Sequence, residues 1–236
     1  MNNKIAIQLT NVSKKYEIHH EKPTLVEKFV KGRKEQFTAI NNISLTIKKG
    51  EFVGIIGPNG SGKTTLLKIV AGITTPTKGC VQTKGRVISL IDLEAGFHPD
   101  LTGIQNIYLN GILLGMSKDQ ITREIPSIID FADIHQFIDV PLFTYSSGMK
   151  LRLGFAIAVH SNPDVLVLDE SIGVGDKKFQ NTSLKKIHQF FHKGKTIIVA
   201  SHWFTYIKQN CERVLVMEKG RIKNDGTIHS IGANEW

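Results

Sequence analysis

Cysteine is nearly missing from this chain: Cys80 and Cys211 are the only two in 236 residues. Neither sits in a CxxC pair or a zinc-type spacing, which argues against a disulfide-stapled scaffold and a thiolate metal site. Long hydrophobic runs are missing too. No apolar stretch approaches the ~18 residues of a membrane span. The start, Met1-Asn-Asn-Lys-Ile-Ala-Ile, lacks the apolar core of a secretory leader. The cytosol is the expected compartment. Internal repeats and low-complexity tracts are absent, as is any basic block studded with aromatics of the kind that grips RNA. The net charge of +9 is carried by scattered lysines, among them Lys14, Lys15, Lys177 and Lys178. It permits nucleotides, nucleic acid or an anionic membrane surface as partners and selects none of them.

What is present is concentrated in a few segments. Gly57-Pro58-Asn59-Gly60-Ser61-Gly62-Lys63-Thr64, followed by Thr65, fits G-x-x-x-x-G-K-[ST], the phosphate-binding loop of nucleoside triphosphatases. Glycines let successive backbone N–H groups turn inward as an anion nest. The following helix adds the positive end of its dipole. Lys63 supplies a point charge for the β- and γ-phosphates of ATP, and the Thr64 hydroxyl is a ligand for Mg²⁺. The setting is the required one: Glu51–Ile56 reads as a buried strand and Thr65–Ala71 as the start of a helix.

The second segment is Val165-Leu-Val-Leu-Asp169-Glu170, an apolar strand ending in two acids. Asp169 is placed to hold Mg²⁺ and Glu170 to polarise a water for attack on the γ-phosphate. With 41% hydrophobic residues, the chain suffices for one large α/β domain or two small ones. Residues 4–18 and Ile43–Ile47 read as strands of an antiparallel layer, with an irregular charged stretch, Glu17–Phe37, between them. A short helix is expected at Leu25–Val30. A turn at Thr74–Gly79 precedes a strand over Gly85–Ile91. Helical periodicity runs from about Thr102 to Ala158. Strands at Asp164–Asp169 and Thr196–Ala200, a helix at Lys177–Phe191 and a hairpin turning at Lys219-Gly220 complete the pattern. Strands alternating with helices predict a wound, mainly parallel sheet, with the phosphate loop, Asp169-Glu170 and Ser201-His202 converging at its carboxyl edge.

Tyr145-Ser146-Ser147-Gly148-Met149, opening a helix just before the acidic strand, resembles the signature of the ATP-binding-cassette (ABC) ATPases. The other motifs of that family occur in its sequence order, so the resemblance covers nearly the whole chain. It implies a P-loop core of ABC type with an antiparallel β layer and an inserted helical subdomain at about 97–158. It also implies a homodimer in which Ser146, Ser147 and Gly148 of one copy meet the γ-phosphate held by the other. Tyr16 falls where the family stacks an aromatic ring on adenine, Asp176 in its dimer-contacting loop, and His202 at its γ-phosphate histidine. The signature departs from the family's usual form at Ser147 and Met149. In place of the glutamine that normally touches Mg²⁺, Glu94 is the best candidate, with Leu93 the strict ungapped match.

Leu93–Gly103, Asn106–Gly111 and the extra segment after Tyr16 look like the subgroup that exports cell-surface polysaccharides, such as O-antigen and teichoic acid. This implies separate integral membrane permease subunits, two copies, docking around Gly96–Gly111 on the cytoplasmic face of the inner membrane. No nucleic acid is expected as partner, and no C-terminal carbohydrate-binding domain within these residues. The competing readings are an exporter for lipid or drug cargo and a soluble ABC ATPase acting on nucleic acid or ribosomes.

Overall fold

The computed structural model describes residues 4–18, 35–169, 176–201 and 204–231. Two sheets lie at its centre. The first is antiparallel, with β1 (Ile5–Ile18) between β2 (Glu35–Lys48) and β4 (Lys78–Thr83). The second has six strands in the order β5 (Val87–Ser89), β6 (Val165–Leu168), β7 (Thr196–Ala200), β3 (Phe52–Ile56), β8 (Arg213–Glu218) and β9 (Arg221–Thr227). All of its neighbouring pairs are parallel except β8 with β9.

The parallel strands are short apolar runs because both of their faces are covered. Alternate residues feed different clusters. Val53, Ile55, Val165, Val167, Ile198 and Ala200 pack towards α1 (Lys63–Val70) and the antiparallel sheet. Phe52, Ile56, Leu166, Leu168, Ile197 and Val199 pack towards α5 (Lys177–His192) and α6 (Phe204–Asn210). Gly54 in β3 permits that second contact: a Cβ there would stand 2.9 Å from Ile207 Cγ2 and 3.2 Å from Cys211 Sγ.

Between β5 and β6 the chain builds α2 (Gly103–Leu113), α3 (Lys118–Ala132) and α4 (Ser147–His160). They share a hydrophobic cluster of their own around Ile107, Ile121, Ile128, Leu142 and Leu153. Capping boxes fix two of their starts: Thr102 with Gln105 on α2, and Ser117 with Gln120 on α3. Each satisfies two donors that a helix end leaves over.

Several expectations change. Only Val87–Ser89 of Gly85–Ile91 is strand. Just before it stands β4, which overlaps the expected turn; its edge residues are mostly exposed, so no apolar alternation announces it. The stretch expected to be irregular is strand at both ends, because β1 continues to Ile18 and β2 starts at Glu35, with Tyr16 opposite Phe37. The helix expected at Leu25–Val30 lies outside the described residues. Helix α6 has no counterpart among the expected elements.

Candidate functional site

The loop Gly57–Gly62 leaves the carboxyl end of β3 and enters α1 directly. Its shape depends on glycine at two points. Gly57 has φ 146°, and a Cβ there would collide with the Met217 carbonyl oxygen. Gly62 has φ 103°, and a Cβ would fall 2.6 Å from the Ala39 carbonyl oxygen. Both are conformations that L side chains rarely adopt. The β8–β9 turn braces the loop: the Gly220 amide donates to the Ser61 carbonyl (2.9 Å), and the Asn41 amide donates to the Gly220 carbonyl (2.8 Å). Gly62 is also the N-cap of α1, where no side chain makes a capping hydrogen bond. The first-turn amides of a helix have no acceptor within it and point at whatever lies before it.

Lys63 is buried, and its ammonium donates to the carbonyls of Gly57 (2.7 Å) and Pro58 (3.1 Å). The positive charge is thereby held at the centre of the loop. Thr64 Oγ1 donates to Asp169 Oδ2 across 3.2 Å. A hydroxyl and a carboxylate side by side form an oxygen donor set that suits Mg²⁺. Ser61 Oγ is buried in the same loop without a hydrogen-bond partner, and buried hydroxyls are normally satisfied. Together these features fit a magnesium-bound triphosphate: a glycine cradle that a Cβ would fill, a buried cation, an orphaned hydroxyl and a pair of hard oxygen ligands.

The pocket over this loop holds about 180 Å³ and is lined by Asn59, Gly60, Ser61, Gly62, Lys63, Thr64 and Thr65, with Phe37 and Ala39 from β2. Tyr16, the ring expected against the base, is not part of that lining. It stands beside Phe37 across the β1–β2 ladder, with the Lys14 ammonium 5.0 Å from its ring centre. Sequence reasoning misses Phe37, because its place over the loop is set by cross-strand register and not by spacing.

The strand order puts the ends of β6, β7 and β3 side by side, so Asp169 and Ser201 sit at the same edge as the phosphate loop. Glu170 and His202, the expected catalytic pair, lie outside the described residues. Glu94 is exposed and forms no side-chain hydrogen bond or ion pair with Thr64 or Asp169; its backbone carbonyl accepts the Phe97 amide. Leu93 packs inward, and its carbonyl oxygen would lie 2.7 Å from a Cβ on Gly154.

Ser146, Ser147 and Gly148 open α4, and none of them lines the phosphate-loop pocket. Ser146 Oγ accepts the Met149 amide at 3.2 Å and so caps the helix. Tyr145 anchors this corner: its hydroxyl donates to the Phe137 carbonyl, and burial pushes its pKa up to about 12. Asp176 caps α5 by accepting the Phe179 amide (2.9 Å), which holds its carboxyl below the usual range.

A second cleft, of about 360 Å³, separates α1 and β5 from α2 and α4. Its walls include Ile73, Val87, Leu93, Leu113 and Ile157, and Asp92 is the one charged residue of the lining. Ile73 and Leu113 are exposed, as is nearby Ile112. The rim is fastened by two asparagines. Asn106 is fully buried; its Nδ2 donates to the carbonyls of His98, Leu101 and Thr102, and its Oδ1 accepts the His98 amide. Asn110 Nδ2 donates to the Gly96 carbonyl at 3.0 Å, and a Cβ on Gly96 would strike Asn110 Oδ1.

Residues 40–173 match the ABC transporter family. The teichoic acids export ATP-binding protein TagH of Bacillus cereus is 45% identical over 231 residues, covering 97% of this chain and 42% of that protein. This chain therefore spans about two fifths of that relative's length. The O-antigen export system ATP-binding protein RfbB of Klebsiella pneumoniae is 42% identical over 235 residues, 95% of each chain. Among solved structures, a dimeric ATP-binding cassette in a post-hydrolysis state, bound to ADP and Pi, superposes with TM-score 0.75 at 23% identity. It covers 95% of this chain and 100% of that one. The likeness establishes a shared fold.

Proposed function

This chain belongs to the ABC transporter family, and from that membership we propose that it is the ATP-hydrolysing motor subunit of an exporter of lipid-linked cell-surface polysaccharide. One observation carries the hydrolytic reading: Thr64 of the phosphate loop and Asp169 at the end of β6 meet at 3.2 Å beside the buried Lys63. The amides of the loop and of α1's first turn bind the triphosphate, and Lys63 balances its charge. Thr64 and Asp169 would hold Mg²⁺, which supplies charge neutralisation at the β- and γ-phosphates. Glu94 remains a candidate for the outer contact to that ion. Glu170 orients and deprotonates the attacking water, and His202 stabilises charge on the γ-phosphate.

Ser146, Ser147 and Gly148 are turned to a second copy of the chain, so each site is completed by its partner. Nucleotide binding closes the pair and hydrolysis reopens it. No helix among the described residues is long and apolar enough to cross a membrane. Two integral permease subunits provide the path for cargo, a reading supported by relatives named as ATP-binding proteins of export systems. A helix of each docks in the Ile73–Leu113 cleft, on the cytoplasmic face of the membrane. The cargo assignment is supported by relatives named for export of teichoic acids and of O-antigen.

The decisive experiment puts the chain and its permease into lipid vesicles and measures phosphate release together with entry of lipid-linked polysaccharide. Both are expected, and Glu170→Gln is expected to abolish both. Turnover stimulated by a lipid or drug, with polysaccharide inert, would reassign the cargo.

A further inference from the structure

We propose that a cavity at the amino edge of the six-stranded sheet, between α3 and the end of α4, binds a phosphate monoester of a sugar or small polyol, with Arg86 and Arg123 holding the phosphate. The cavity measures about 430 Å³, against about 180 Å³ for the pocket over the phosphate loop. That size is ordinary for a small-molecule site. The two places are separate. The phosphate loop follows the carboxyl end of β3, whereas Arg86 and Asp164 precede β5 and β6. These strands run parallel through β7, so the cavity and the phosphate loop lie at opposite edges of the sheet.

Charge selects an anion. The turns leading into β3, β5 and β7 are Lys48-Lys49-Gly50, Lys84-Gly85-Arg86 and Lys193-Gly194-Lys195. They gather at this edge: the Gly194 carbonyl oxygen would lie 3.6 Å from a Cβ on Gly50, and the Asp164 carboxyl feels both Lys49 and Lys195. The acids among them are balanced, Asp164 by Lys195 (3.3 Å) and Glu51 by Arg213 (3.0 Å). Glu124, on the cavity wall, acts on Lys186 of α5. A surplus of fixed cations around a recess concentrates anions there. Arg86 is already positioned: its guanidinium donates to the Ser161 carbonyl and, at 2.7 Å, to the Gly115 carbonyl. A guanidinium has further donors beyond these, set in a rigid fork that suits phosphate oxygens. Arg123, across the cavity on α3, has no hydrogen bond or ion pair to any described residue.

The remaining wall specifies the body of the ligand. Gln120 keeps its Oε1 on the Ser117 amide (2.9 Å), which leaves its NH₂ to donate. His160 Nδ1 meets the Ala156 carbonyl at 2.7 Å, and only the ring can be the donor in that bond. Burial lowers the imidazole's pKa, so the neutral ring has Nε2 left as an acceptor. Such donors and acceptors match hydroxyl groups. Met116 is the one apolar side chain among the lining residues, so an acyl tail or a flat base has little to pack on.

The test titrates glycerol 3-phosphate and glucose 1-phosphate into the full chain by calorimetry, with and without a saturating non-hydrolysable ATP analogue and Mg²⁺. Both esters are expected to bind equally well in either condition, and glucose and inorganic phosphate much more weakly. Arg123→Gln is expected to weaken both esters about tenfold or more, the usual loss for one charge-assisted hydrogen bond. Its thermal midpoint should match the parent's, because Arg123 is exposed and ties nothing down. Arg86→Lys keeps the charge but loses the fork, and should weaken the esters as well. If neither ester binds, if the analogue displaces them, or if Arg123→Gln binds them as the parent does, the proposal is overturned. Inorganic phosphate binding as tightly as the esters would overturn the assignment to a polyol ester. Glycerol phosphate is also a lipid headgroup. Flotation on phosphatidylglycerol vesicles that is lost in Arg123→Gln would overturn the assignment to a free ester in favour of a membrane surface.

Discussion

Thr64 and Asp169 are 105 residues apart in sequence, yet the hydroxyl of one donates to the carboxylate of the other at 3.2 Å. The contact exists because β3 and β6 flank β7 in a parallel sheet, so the residues that follow them emerge at one edge. The pair is the core of the proposed metal site. Asp169→Asn keeps the size of the side chain and removes its charge. Phosphate release is expected to fall about 100-fold or more, the scale set by losing one preorganised charged group. Its dependence on Mg²⁺ concentration should shift to higher values. A variant with unaltered turnover and magnesium response would remove Asp169 from the site.

Lys63 holds its charge against two carbonyls of its own loop, at the centre of the proposed phosphate site. Lys63→Met should therefore act on nucleotide affinity first. A charge-assisted hydrogen bond contributes about 1.5–3 kcal/mol, which corresponds to roughly a tenfold to hundredfold weaker dissociation constant. Equilibrium titration of a fluorescent ATP analogue measures this directly.

Two glycines of the loop should respond differently to the same methyl group. Gly60 has φ 76° with nothing within 4 Å of where a Cβ would stand, whereas Gly62 has φ 103° and the Ala39 carbonyl at 2.6 Å. Gly60→Ala carries only the left-handed backbone cost, about 1–2 kcal/mol. Gly62→Ala must also push β2 off the loop, so it should lose more stability and lower nucleotide affinity together. Chemical denaturation of both variants separates the two effects. Equal losses would show that β2 yields freely at Ala39.

Much of this site is legible in the sequence because its chemistry is local. The octet Gly57–Thr64 holds its cradle, its cation and a metal ligand in eight consecutive positions, and the apolar run Val165–Leu168 announces a covered strand. What is not legible depends on register and on distant packing. β4 has little apolar signal, since it pairs with β1 at an edge and most of its residues are exposed. Phe37 gains its place only through the pairing with Tyr16. The asparagines Asn106 and Asn110 read as a family pattern, but their physical work is to satisfy the carbonyls of the 96–102 loop. Ser146 reads as a phosphate ligand and is also the cap of α4.

At the opposite edge of the sheet, Asp164 gives the fold an acid-sensitive joint. Its Oδ2 accepts the Arg86 amide (2.8 Å) and its Oδ1 accepts from Lys195 (3.3 Å). The Arg86 amide is the main cause that holds its pKa below the ordinary value, with partial burial opposing and Lys195 assisting. A carboxyl with a depressed folded-state pKa contributes stability that is present above its unfolded pKa. That contribution is lost as pH falls from about 4, the ordinary aspartate value, through the lower folded one. Asp164→Asn should therefore be less stable than the parent at neutral pH and approach it in acid. Thermal midpoints across that window give the comparison; a constant gap at all pH values would assign the stabilisation to shape rather than charge.

The apolar cleft lets the proposed nucleotide chemistry be tested apart from the proposed permease docking. Leu113 is 64% exposed at its rim, and exposed apolar side chains gathered with Ile73 and Ile112 are poorly suited to water. Leu113 lines this cleft and has no part in the lining of the phosphate-loop pocket. Leu113→Asp adds a carboxylate to a rim whose lining already includes Asp92, so an apolar helix seated there would lose contact area and meet two like charges. Nucleotide affinity of the isolated chain should stay within about twofold of the parent, because surface substitutions away from a site usually stay within ~0.5 kcal/mol. Co-purification with the proposed permease, and the proposed export of polysaccharide, should both drop sharply. If the variant still purifies with the permease at the parent's yield, the partner docks elsewhere. If nucleotide affinity falls in step with export, the cleft and the phosphate loop are not separable, and Leu113 acts through the fold.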